Sequence, residues 1–70
     1  MEENVKSRVV QLLESNIQDN IYLAINILTE YPILTAELKD KYFIKKYITS
    51  NMHHTEFEMW AKIAFKSKEI

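Results

Sequence analysis

There is no glycine anywhere in this chain of 70 residues. Glycine enters positive-φ turns without steric cost, and tight β-hairpins and phosphate-cradling loops depend on it. Its absence argues against an all-β fold and against any Gly-rich nucleotide loop. Helices joined by polar turns are the simplest remaining solution, and the hydrophobic periodicity points the same way.

The expected architecture is all-α: a single domain, residues 1–70, folded as a compact bundle of about four short helices at approximately 3–14, 18–30, 35–49 and 56–67. In the first, Val5, Val9, Val10, Leu12 and Leu13 share one face, and Ser7, Arg8, Gln11 and Glu14 the other. A polar turn follows, with Ser15 or Asp19 available to cap the second helix, which Tyr31-Pro32 ends because proline disfavours helix in the residue before it. The apolar set of the second helix (Ile17 to Tyr31) sweeps an arc of about 200°, twice the ~100° that an ordinary surface helix needs, so it is expected to be central. The third helix has the poorest frame: with Thr35 as N-cap, Ala36, Phe43, Ile44, Tyr47 and Ile48 share a side, but Asp40 falls among them and Leu38 and Tyr42 point elsewhere. Residues 42–49 are rich in strand formers, so helix and strand both stay open there. Thr55-Glu56-Phe57-Glu58 has the form of a capping box, and Glu58 and Lys62 have the favourable i,i+4 order. Met59, Trp60, Ile63, Ala64, Phe57, Ala61 and Phe65 then cover an arc of about 240°, and Lys66 and Lys68 suit a helix C-terminus.

Val9-Val10-Gln11-Leu12-Leu13-Glu14-Ser15 followed by Asn20-Ile21-Tyr22-Leu23-Ala24-Ile25-Asn26-Ile27-Leu28 resembles one hairpin of a HEAT-like helical repeat, over roughly residues 5–31. The resemblance implies antiparallel helix packing and a protein-binding habit; it names no site residue.

Composition narrows the function by exclusion. Without cysteine there is no disulfide, zinc–thiolate site, iron–sulfur cluster or thiol nucleophile. A hydrophobic share of 47% against 27% charged argues against disorder. The opening residues carry no apolar core with basic flanks, and no apolar run nears the ~18 residues of a membrane span, so a cytoplasmic protein without membrane contact is expected. His53-His54 invites a metal, but adjacent side chains diverge; His54 and Glu58 have the i,i+4 spacing, yet no second histidine pair or cysteine completes a set, so neither metal nor cofactor is expected. Nor do the scattered serines and carboxylates form a catalytic set, and an enzyme is not expected. The bias to lysine, with Arg8 the sole arginine, fits AT-rich coding of the kind common in low-GC bacteria and their phages; a phage protein would act in the host cytoplasm.

Two binding functions remain. The wide arcs of the second and fourth helices exceed what a monomer of this size can cover, which points to a protein–protein interaction module or accessory factor, with another copy of the chain among the candidate partners. Phe57, Trp60, Ala61, Phe65, Tyr42 and Tyr47 are the candidate contact surface. The alternative is nucleic-acid binding through Lys39, Lys41, Lys45 and Lys46, interleaved with Tyr42 and Tyr47. A net charge of −1 and acidic Glu56 and Glu58 at the start of the helix that would enter the groove argue against it. A structural subunit of a larger assembly is a third reading.

Overall fold

Four helices follow one another along the chain in the computed structural model, which describes residues 2–65. Helix α1 (Glu2–Leu13) buries Val9 and Leu13, with Val5, Val10 and Leu12 packed beside them, as its periodicity requires. Residues 14–17 turn the chain back so that α2 (Gln18–Leu28) lies against α1. In the absence of glycine, Asn16 supplies the left-handed conformation, at φ 63°; asparagine is among the few residues that tolerate it. Neither Ser15 nor Asp19 caps α2. Ile17 is the N-cap, while the Ser15 hydroxyl donates to Leu12 O and accepts from Ile17 N–H, closing the turn.

Helix α2 packs on α1, α3 and α4 and buries Ile21, Ala24, Ile25 and Leu28. It ends two residues earlier than expected, and the chain re-enters helix at Pro32 in the first turn of α3, where a missing N–H is of no consequence. Thr35 is therefore no cap. It sits buried inside α3, its hydroxyl 2.9 Å from Leu28 O and 3.0 Å from Tyr31 O, carbonyls that also accept from the N–H groups of Tyr31 and Thr35, so it ties the end of α2 to the first turn of α3.

Helix α3 is one rod in three pieces: α-helical Pro32–Lys39, a π turn Asp40–Ile44, and α-helical Lys45–Thr49. Lys45 N–H bonds to Asp40 O, the i→i−5 link of a π turn. The physical reason lies in the spacing of apolar residues. Leu34 and Leu38 are buried four apart, but the next large apolar side chain on that line is Phe43, five further on. A regular helix would turn Phe43 away and bring Tyr42 inward; one extra residue in the turn restores the line and buries Phe43. This corrects the single-frame expectation in which Leu38 pointed outward and Ala36 inward: Leu38 is buried and Ala36 exposed. Residues 42–49 are helical throughout, and no strand occurs among the described residues.

Helix α4 (His54–Ala64) starts two residues before the expected boundary, and the capping box does not form. His53 is the N-cap: its Nδ1 accepts from Thr55 N–H at 3.2 Å, and the Tyr22 hydroxyl lies 3.4 Å from the same nitrogen. Glu58 turns instead to His54, 2.9 Å away, so the expected Glu58–Lys62 pair is not made. Lys66, Ser67 and Lys68, expected at the end of this helix, lie outside the described residues.

The assembled chain is a slab of 31 × 30 × 17 Å in Cα extents. With helix axes ~8–10 Å apart and Cα atoms ~2.3 Å from each axis, this depth holds two layers of helix. The core between them is centred on Trp60, Phe43, Ile25, Leu28 and Val9.

If the π turn exists only to keep Phe43 in line with Leu38, deleting Asp40 should leave a regular helix with the same core. The expected cost in denaturant unfolding is below about 1 kcal/mol, whereas truncating Phe43 to alanine should cost about 3–5 kcal/mol.

Candidate functional site

The π turn aims Phe43 at α4, and four aromatic contacts follow. The ring of Phe43 stacks on Trp60 with centroids 5.6 Å apart and planes 6° from parallel. Phe57 and Phe65 approach Phe43 at 5.6 and 5.8 Å in tilted arrangements, and Tyr47, one turn further along α3, meets Phe57 at 5.0 Å. Such geometries suit the edge-positive, face-negative charge distribution of aromatic rings. The series runs from fully buried to exposed: Trp60 and Phe43 inside, Phe57 half-buried, Phe65 39% and Tyr47 55% exposed.

Four of the six candidate contact residues thus lie on one seam between α3 and α4. Phe57 and Ala61 lie four apart on α4, Phe65 follows four further on as its C-cap, and Tyr47 flanks Phe57 from α3. Trp60 does not belong to this surface: it has no exposed area, so it is a core residue rather than a contact. Its indole N–H has no hydrogen-bond partner among the described residues. Tyr42 is also committed elsewhere, its hydroxyl donating to the Glu14 carboxylate across the gap to α1. Partial loss of water around the phenol, then the hydrogen bond and the negative charge of Glu14, push its pKa from 10 up to about 12.

Ile33, which the sequence pattern did not single out, is 76% exposed, and Ile48, expected on the apolar side of the third helix, is 73% exposed because the π turn shifts the frame beyond Ile44. They stand at opposite ends of α3, roughly 22 Å apart at 1.5 Å per residue, and form no common patch. Ile17 and Leu23 are the uncovered part of α2.

Glu56, expected at an exposed helix start, is buried instead. Its carboxylate accepts from Lys46 Nζ at 2.8 Å and from Gln18 Nε2 at 3.1 Å, joining the end of α3, the start of α2 and the first turn of α4. Acidic side chains in a helix's first turn also face the positive end of its dipole. This clasp claims one of the four candidate nucleic-acid lysines, and Asp40 claims Lys39 at 3.3 Å. Lys41 lies 5.3 Å from the Tyr42 ring centre. Lys41, Lys45 and Lys46 do line a shallow depression of about 290 Å³ with Tyr42, Thr49 and Ser50. Among the described residues no three or more histidines, cysteines, aspartates or glutamates cluster as a metal site would need, and no helix is long and apolar enough to cross a membrane.

No known protein-family model, curated protein or solved structure matches the chain.

Two measurements test the clasp and the Tyr42 bond. Lys46→Met should cost about 2 kcal/mol, less than the 3–5 kcal/mol of a fully buried broken pair because the lysine side chain is 33% exposed. The double change Lys46→Met, Glu56→Met should cost less than Lys46→Met alone, since no buried carboxylate is left behind. In an ultraviolet titration Tyr42 should be the tyrosine that ionises near pH 12, and Glu14→Gln should move it back toward 10. With the folded value raised above the unfolded one, its contribution to stability is complete below pH 10 and disappears as pH rises through 12.

Proposed function

We infer that the protein is a small helical interaction module that binds another protein through the α3–α4 seam. The observation that carries this is the continuity of Tyr47, Phe57 and Phe65 with the buried Phe43–Trp60 stack. Aromatic side chains that are already positioned by a core lose little conformational freedom when covered, and they are the usual anchors of interfaces. The lysine-rich segment supports nucleic-acid binding less well, since Lys39 and Lys46 already face carboxylates. An accessory protein that acts by occupying the surface of a larger one, a phage product in a bacterial host among them, fits a module of this size.

The test is a pull-down from source-cell extract with a photo-crosslinking residue in place of Ile48, beside the seam. A partner whose capture is lost on Tyr47→Asp and on Ala61→Glu, with helicity unchanged, and which survives about 0.5 M salt, is the expected result. Capture that ignores both substitutions would sink the seam as the binding face. Binding that collapses with salt and requires Lys41 and Lys45 would favour the nucleic-acid alternative.

A further inference from the structure

We propose that a second copy of the chain docks on this seam, α4 packing antiparallel on α4 about a two-fold axis at Ala61. The proposal rests on the interaction reading above and names the partner. The column Phe57, Ala61 of α4, extended by Phe65 at its C-cap, is followed, one position round the helix, by the column Glu58, Lys62. A two-fold axis through the first column sets Ala61 against itself, and its methyl group lets the helix axes come close, toward the ~8 Å end of the usual range. The same operation places Phe57 opposite Phe65 of the second copy. Two-fold pairing also brings each flank against the same flank running in reverse, so Glu58 meets Lys62 of the second copy and Lys62 meets its Glu58.

The charges are disposed for this. Glu58 and Lys62 have the spacing to pair within the helix but do not: Glu58 Oε2 binds His54 Nε2, and Lys62 has no ion pair among the described residues. Both are exposed, on the side of the stripe away from α3. On the α3 side Tyr47, more than half exposed, faces the seam of the second copy and is covered by it. One short helix face is a small interface, and the expected dissociation constant is micromolar, of order 10 µM.

Sedimentation equilibrium of the full chain tests this with two charge variants, Glu58→Lys and Lys62→Glu, each checked for helicity. The parent should form dimers. Each variant alone should dimerise at least about tenfold more weakly, because like charges then meet twice per dimer. An equimolar mixture of the two should recover dimers, since one copy then presents lysine at both positions and the other presents glutamate at both. A parent that stays monomeric at about 1 mM, variants that dimerise like the parent, or a mixture no tighter than its components would each overturn the proposal. Should the parent be monomeric while a foreign partner is still lost on Tyr47→Asp, only the second copy is refuted; if no such partner exists either, the interaction reading falls with it.

Discussion

The parallel stack of Phe43 on Trp60 is the contact from which the rest of the fold takes its arrangement. It joins the middle of α3 to the middle of α4 at the centre of the core. To make it, α3 accepts an extra residue in one turn, and the π geometry at Asp40–Ile44 is the local consequence. Wide turns of this kind are weaker than regular helix and persist where tertiary packing offsets the loss. Here the compensation is the burial of two large rings, which at about 25 cal/mol per Å² outweighs any one backbone bond. The stack also sets where the uncovered aromatics stand, because Phe57 and Phe65 both lean on the ring of Phe43.

Around this apolar centre a single polar device fixes the register of three helix ends. Glu56 is buried, yet Lys46 and Gln18 reach it from α3 and α2. A buried carboxylate is costly unless its bonds are satisfied, so alternative packings that separate these ends are penalised heavily. The net stability it adds is modest; its larger effect is to select one arrangement of helices that hydrophobic burial alone would leave loosely specified. The buried Thr35 hydroxyl ties α2 to α3 more locally, through its place between the carbonyls of Leu28 and Tyr31.

How much of this was legible in the chain follows from which rule governed each segment. Helices α1, α2 and α4 obey a 3.6-residue period, and the period located them. Helix α3 does not, because its apolar line runs 34, 38, 43, and a regular wheel scatters those positions around the helix. A spacing of four followed by five is the signal that would have exposed the π turn. The start of α4 was misplaced because Thr55 and Glu58 have the right residue types for a capping box, while His53 can accept the same class of bond two residues earlier. At the candidate site, Tyr47, Phe57, Ala61 and Phe65 were recognisable as surplus apolar surface. Trp60 was not separable from them, since an arc of about 240° states how much of a helix is apolar but not which part the neighbours cover. The burial of Glu56 was hidden for the complementary reason: its partners are 10 and 38 residues away.

On the proposed reading, binding at the seam between α3 and α4 is coupled to stability. Phe43 holds the core on one edge and supports Phe57 and Phe65 on the other, so a partner lying on those two rings also closes water away from the stack behind them. Binding to the folded state alone raises stability by RT ln(1 + [L]/Kd), about 2.7 kcal/mol when the partner is at a hundred times its dissociation constant. For a domain of 70 residues that increment is a large fraction of the total. A chain with no disulfide to staple it, and with Tyr47 and Phe65 left partly exposed, would gain stability from a surface that covers them. The same rings that leave the isolated fold incomplete are those through which a second protein surface would complete it.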